Sequence, residues 1–329
     1  MMTDVLIVGA GLAGLTAARA LRQAGLRVVV VDEGGQPGGR LATRALGAGR
    51  ADSGAQFFTT RSPEFTQQVA AWRAAGWVYE WSRGWSDGSL ATTPPDGHPR
   101  YAARGGFRAL AARLSEGLDV RLSLRVGAVA PEGDGWRVEM AGGESYAARA
   151  LLLTPPAPVG LGLLAAGGVV LPAGDRAALE SVRFGSCLCG LFVIEGETRL
   201  PAPGALQMPA GPIGWMADNQ RKGISPEACV LTVHASPAAS AVHWHDADDA
   251  ALDWLADAAR PWLAPGAVVR VAELVRWPHA VPLAVLPERC RVSGLDAPLI
   301  FAGDAFGGPR VEGATLSGWA AAAALRARL

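Results

Sequence analysis

The sequence predicts an α/β fold, a Rossmann-like nucleotide-binding domain interrupted by an inserted α+β domain, and three observations carry that prediction. Residues Asp4 to Val8 are a short run of mostly branched apolar residues, the pattern of a strand buried on both faces, and they lead directly into Gly9-Ala10-Gly11-Leu12-Ala13-Gly14. A second run, Arg27 to Val31, stops on Asp32. The chain has 329 residues, roughly two domains or one large domain with an insertion.

Each part of the first repeat has a physical reason. Gly9 permits the tight turn after the strand, Gly11 lets a pyrophosphate approach the backbone, and Gly14 lets helix and strand pack closely. Leu12 and Ala13 open a helical pattern, LAGLTAARALRQAG, which Gly25 closes at its C-terminal cap. The start of that helix offers N–H groups and a positive dipole end to phosphates. Asp32, 18 residues past Gly14, is placed to accept hydrogen bonds from an adenosine ribose. Glu33 falls one residue beyond the strand end and is the weaker ribose ligand. Strand, glycines, helix, strand and acid in register predict a dinucleotide site.

Composition narrows the partners. There are 30 basic and 30 acidic side chains and no net charge, which argues against a nucleic-acid binder and against a polybasic membrane anchor. Lys222 is the one lysine in the chain, so any mechanism that needs a lysine has one candidate. It lies in Asp218-Asn219-Gln220-Arg221-Lys222-Gly223, a polar stretch that reads as a solvated turn. The four cysteines have neither disulfide nor zinc spacing, which points to a reducing compartment and a cytoplasmic location. MMTDVLIVGAG carries an acid before its apolar run and does not read as a secretory signal. The uncharged stretch Ala150 to Gly174 is broken by four prolines and reads as a strand followed by a loop, not a membrane span.

The residues after Asp32 carry a family resemblance. Val28 to Arg40, with Gly38-Gly39-Arg40, resembles the flavoprotein amine-oxidase superfamily, in which such an element lies beside the FAD pyrophosphate. Asp52-Ser53-Gly54-Ala55-Gln56-Phe57-Phe58-Thr59-Thr60-Arg61 resembles a stretch of its renalase-like branch. So does Gly303-Asp304, after the apolar run Leu299 to Ala302, with Arg310-Val311-Glu312-Gly313-Ala314-Thr315-Leu316-Ser317-Gly318. Thr154-Pro155 and Trp277 in VRWPHAVP also fit that branch.

The resemblance implies noncovalent FAD in a domain of glutathione-reductase/p-hydroxybenzoate-hydroxylase type. That domain is discontinuous, from residues 1–72, 102–160 and 290–329, with a substrate domain from 73–101 and 161–289. It implies cofactor contacts from Gly9, Gly11, Leu12, Ala13, Gly14, Asp32, Glu33, Gly39, Arg40, Gln56, Phe57, Thr154, Gly303, Asp304, Val311, Gly313 and Ala314. Val126 corresponds to a residue whose backbone would contact adenine, and plain sheet packing explains it equally well. A helix beginning near Gly313 would aim its positive end at the flavin.

The implied activity is an oxidase of renalase type, taking a hydride from isomeric dihydronicotinamide forms of NAD(P) and passing the electrons to dioxygen to give hydrogen peroxide. Gln56, His234, Arg276, Trp277 and Arg310 are the candidates for orienting substrate or flavin. Oxidation of primary or secondary amines stays open, as does a non-catalytic FAD-binding redox sensor, because cofactor motifs do not specify a substrate. His243-Trp244-His245-Asp246 reads as a helix start with Asp246 as N-cap in preference to a metal site. Trp72, Trp77, Trp81 and Trp85 form a stripe that reads as core packing, with a cavity-lining ring as the alternative.

Overall fold

The computed structural model describes residues 3–87 and 97–329. The chain divides into two compact units, Met1–Gly39 with Ala111–Arg183 and Pro282–Leu329, and Arg40–Leu110 with Phe184–Val281. Residues 40–72 and 102–110, expected in the nucleotide domain, fall in the second unit, and 161–183 and 282–289 fall in the first. Local pairing explains the shift at 40–72. The strands Thr43–Leu46 and Gly49–Asp52 pair with each other instead of joining the nucleotide sheet. A Cβ at Gly49 would lie 2.4 Å from Val230 Cγ2, so the hairpin packs on the strand Cys229–Ala235. Residues 88–96 of the expected 73–101 segment lie outside the described residues.

The first unit is built on an eight-stranded sheet. Thr3–Val8 sits inside it, parallel to Ser145–Leu153 on one side and to Val28–Val31 on the other. Asp119–Arg121 adds parallel beyond Val28–Val31, and Leu299–Phe301 adds parallel beyond Ser145–Leu153. Val5, Leu6 and Ile7 have no exposed surface, as a run with apolar residues on both faces requires. The helix Leu12–Gln23 follows the first strand, and Gly25, at φ +85°, lies just beyond its C-cap. The last helix, Arg310–Arg326, begins three residues earlier than the glycine pattern suggests, so Gly313 lies in its first turn. These two helices cross at close range: a Cβ on Gly318 would stand 2.4 Å from the carbonyl oxygen of Ala13.

The stretch after Leu153 is not a loop. It forms the helices Ala157–Ala166 and Ala173–Ser181. The prolines that suggest a loop sit at or before the first helical turn, where a missing N–H costs nothing and a fixed φ helps. A Cβ at Gly167 would lie 1.9 Å from Val129 O, which fastens the end of the first of these helices to the strand Val126–Glu132.

The second unit holds a five-stranded sheet in the order Ala205–Gln207, Ile213–Asp218, Cys229–Ala235, Arg183–Glu195, Val268–Ala284. Alternation along Arg183–Glu195 serves two faces. Leu188, Phe192 and Ile194 pack with Leu255 and Ala251 of the helix Asp248–Ala259. Cys189 and Leu191 face the other way, onto Leu46 and Ala51 of the small hairpin. The helix Asp248–Ala259 has Ala247 as its N-cap, not Asp246. Asp246 instead takes His243 Nδ1 at 2.7 Å, while Asp248 and Asp249 occupy the first turn as their charge favours.

Candidate functional site

In the first unit the glycine loop is closed at two positions and open at one. Gly9 has φ +103°, and a Cβ there would meet Thr154 Oγ1 at 2.4 Å. The Thr154 hydroxyl itself donates to Val8 O at 2.8 Å, so it fastens the loop. A Cβ on Gly14 would lie 2.0 Å from Gly9 O. At Gly11 a Cβ would meet nothing within 4 Å. Gly11 also caps the helix Leu12–Gln23 without any side-chain hydrogen bond, so no side chain occupies the space in front of the first helical turn. Open space in front of an uncapped helix start is what a pyrophosphate requires, and the residues present therefore fit a dinucleotide.

The surrounding residues brace this loop. Asp32 accepts from Ala10 N at 2.6 Å and from Gly34 N at 2.8 Å. Burial raises its pKa, against the pull of those two hydrogen bonds. Two oxygens with four lone-pair sites leave it capacity for a ribose hydroxyl. Glu33 is exposed and pairs with Arg125 at 3.0 Å, a surface contact. Gly39 comes within contact range of the loop, a Cβ there standing 3.7 Å from Gly11 Cα. Val126 opens a strand and pairs with Met140.

Gly303 donates its N–H to Ser317 Oγ at 2.8 Å, and Asp304 beside it is buried. A Cβ on Gly313 would overlap Gly308 O at 1.8 Å. The helix Arg310–Arg326 also starts without a side-chain cap, with Val311 buried and Ala314 partly buried in its first turns. Arg310 itself is exposed at φ +78°, a conformation that L residues with a Cβ adopt at a cost.

In the second unit the loop 52–56 gathers three of the five substrate-orienting candidates. His234 Nε2 lies 3.1 Å and Trp277 Nε1 2.9 Å from the carbonyl oxygen of Ser53. Because that carbonyl can only accept, His234 carries its proton on Nε2. Loss of hydration pushes the His234 pKa down to about 4, the Ser53 hydrogen bond opposes this, and Lys222 adds to it, so the ring is neutral at pH 7. Gln56 donates through Nε2 to Asp52 O at 2.6 Å and to Gly54 O at 3.2 Å, and its Oε1 accepts from Trp215 Nε1 at 3.2 Å. Its amide is engaged by the protein, so Gln56 shapes the loop instead of reaching for substrate. Phe57 packs its ring on Trp85 and Trp215.

Two candidates do not join this group. The Arg276 guanidinium donates to Trp244 O and Asp246 O and pairs with Asp248, so it secures the start of the helix Asp248–Ala259. A side chain with that set of partners is a positioning element of the fold. Arg310 belongs to the first unit. Arg40, expected beside a pyrophosphate, gives Nη1 to the carbonyls of His279 and Ala280 at 3.1 and 3.2 Å.

Lys222 corrects the solvated-turn reading most clearly. Its side chain has no exposed surface, and Nζ lies 2.7 Å from Asp52 Oδ2. Nζ also stands 4.8 Å from the Trp81 ring centre and 5.5 Å from that of Phe107. Burial draws its pKa down while Asp52 draws it up. The other Asp52 oxygen accepts from Thr43 Oγ1 at 2.6 Å and Phe107 N at 2.9 Å. The turn follows the strand Ile213–Asp218 and folds inward, because Asn219 reaches Val230 O, Thr232 Oγ1 and the Asp52 N–H.

Sequence reasoning missed Asp52, Asn219, Thr232 and Lys222 as one network. The available signal was a lone lysine in a chain otherwise basic only through arginine. The tryptophan stripe divides. Trp72 packs with Phe58 and Phe65, whereas Trp81 and Trp85 pack on Trp215.

Comparison with known proteins agrees with the geometry. A family model described as "NAD(P)-binding Rossmann-like domain" matches residues 7–72, and one described as "Flavin containing amine oxidoreductase" matches residues 72–326, most of the chain. Lysine-specific histone demethylase 1 homolog 2 of Oryza sativa subsp. japonica is 53% identical over 51 residues, 16% of this chain and 7% of that protein. Hydroxyneurosporene desaturase of Rhodobacter capsulatus is 46% identical over 59 residues, 18% of this chain and 12% of that protein. The chain thus matches only a small part of each of these relatives. A putrescine oxidase variant redesigned in cofactor binding superposes with a TM-score of 0.72 at 17% identity, covering 100% of both chains. Reduced UDP-galactopyranose mutase gives 0.71 at 14% identity, covering 100% of this chain and 96% of that one. At such identities the superpositions establish a shared fold. No helix among the described residues is long and apolar enough to cross a membrane.

Proposed function

The chain belongs to the flavin containing amine oxidoreductase family, and from that premise we propose that it is an FAD-dependent oxidase of renalase type. Its substrate is an isomeric dihydronicotinamide form of NAD(P). The ring loses a hydride, and the two electrons, with one further proton from water, leave on dioxygen as hydrogen peroxide. Noncovalently bound FAD supplies a ring that takes up two electrons and releases them to oxygen.

The chain's own residues hold and orient. The open face at Gly11 and the uncapped start of the helix Leu12–Gln23 suit the pyrophosphate, and Asp32 suits the ribose. Gly303, Asp304 and the uncapped start of the helix Arg310–Arg326 suit the flavin end, where a positive dipole favours the electron-rich ring. With its pKa pushed down to about 4 by burial, His234 is a weak proton acceptor, which suits a substrate that needs no proton removed.

One observation carries the choice of substrate. The single lysine, which an ordinary amine oxidase would use to hold a water at the flavin, is enclosed and bound to Asp52. A dihydronicotinamide needs positioning more than a base or a held water, so it suits a site without an available lysine. Anaerobic mixing of the FAD-loaded protein with isomeric dihydro-NAD and, separately, with primary and secondary amines tests the proposal. Flavin bleaching by the dihydronicotinamide alone is the expected result. Bleaching by amines alone would replace the reading with amine oxidation, and no bleaching by either would leave a non-catalytic FAD protein.

A further inference from the structure

We propose that the indole N–H groups of Trp81 and Trp85 form a subsite for a neutral carbonyl oxygen, the carboxamide of a nicotinamide ring. This rests on the dihydronicotinamide reading above. Four rings of the second unit make one cluster: Trp81 and Trp85 lie 4.7 Å apart between centres, Trp85 and Trp215 5.0 Å, Phe57 and Trp85 5.0 Å, Phe57 and Trp215 5.1 Å. Trp215 finds an acceptor in Gln56. Trp81 Nε1 and Trp85 Nε1 are sealed from solvent and have no hydrogen-bond partner among the described residues, and the hydroxyl of Ser53, on the loop that carries Gln56, is in the same condition.

An indole N–H can only donate, and leaving one buried without an acceptor costs about 1–3 kcal/mol. Buried polar groups in native proteins are nearly always paired, so two bare donors on adjacent rings call for an acceptor that the described residues do not supply. Packing alone would be met by phenylalanine at either position. The donors are neutral, and the cation nearest Trp81, Lys222, is bound to Asp52. A neutral oxygen therefore suits the pair better than a carboxylate, whose charge would be buried without compensation. Arg100, 5.6 Å from the Trp85 ring centre with Nη1 on His98 O, is the group through which a carboxylate could compete. A planar ring bearing a carboxamide adds a face that stacks on aromatic side chains.

Calorimetric titration of the FAD-loaded protein decides the matter. Nicotinamide is expected to bind at least tenfold more tightly than 3-methylpyridine, which lacks the carboxamide, and more tightly than benzoate. Trp81→Phe and Trp85→Phe each keep a ring and remove the donor, and each is expected to weaken nicotinamide about tenfold, the worth of one hydrogen bond. In turnover the same variants should raise KM for isomeric dihydro-NAD with kcat unchanged. Equal affinity for nicotinamide and 3-methylpyridine in the unaltered protein overturns the subsite whether or not the variants fold. So does tighter benzoate binding, or unchanged nicotinamide affinity in both folded variants, which would assign the two donors to ordered water. The two readings fail separately. Nicotinamide binding that is lost in the variants, with no flavin bleaching by dihydro-NAD, removes the substrate proposal and leaves the subsite. Bleaching with unaffected variants removes the subsite and leaves the substrate proposal.

Discussion

The ammonium group of Lys222 and the carboxylate of Asp52 meet at 2.7 Å across 170 residues of sequence, and neither side chain has any exposed surface. A pair enclosed in this way gains little over an apolar substitute, but losing one partner strands a buried charge. Lys222→Met is therefore expected to destabilise the fold by about 3–5 kcal/mol, and Lys222→Met with Asp52→Asn to recover part of that loss. Urea denaturation of the single and double variants measures both. A single variant as stable as the parent would show that the pair is not held as described.

Gly11 and Gly14 separate binding from folding. Gly11→Ala places a methyl group where the chain leaves open space, so unfolding temperature without cofactor should stay within a few degrees of the parent while FAD content on purification falls. Gly14→Ala drives a methyl group to 2.0 Å from Gly9 O and should lower the unfolding temperature of the cofactor-free protein itself. Thermal scans of FAD-stripped protein, with absorbance of the bound cofactor, distinguish the two.

His234 gives the fold a pH dependence whose sign follows from its depressed pKa. Below about pH 6.5 the unfolded chain takes up a proton that the folded ring refuses until about pH 4. Its contribution to stability is complete above pH 6.5 and is lost as pH falls toward 4, by up to roughly 3 kcal/mol. His234→Gln keeps a donor for the Ser53 carbonyl and removes the titration. Denaturation midpoints of this variant should fall less steeply between pH 6.5 and 4 than those of the parent.

Arg276→Ala tests the reassignment of that residue from substrate to helix. Releasing Trp244 O, Asp246 O and Asp248 is expected to cost about 1–2 kcal/mol of stability. KM for the substrate should not change. A large rise in KM with stability intact would return Arg276 to the substrate site.

The parts of the molecule that were legible in the sequence are those fixed by local rules. The run Val5 to Val8, the three glycines and Asp32 announce strand, turn, helix and second strand, because backbone conformation and periodicity act over a few residues. Prolines 155, 156 and 158 misled because the same ring that breaks a helix interior also starts a helix well. Asp246 misled because its side chain took His243 as partner and left the cap to Ala247.

The second unit's network was legible only in fragments. Lys222 sits in a stretch of polar residues, and local composition places such a stretch in solvent. Its side chain is buried because Asp52, far away in sequence, meets it with a compensating charge, and Thr43, Asn219 and Thr232 hold Asp52 in place through its carboxylate, N–H and carbonyl. The sequence by itself determined a nucleotide loop and a flavoprotein resemblance, since glycine conformation and strand spacing are local properties. Only the tertiary structure decided which polar residues are buried, because whether a charge can leave water depends on partners that the fold, and not the neighbouring sequence, brings to it.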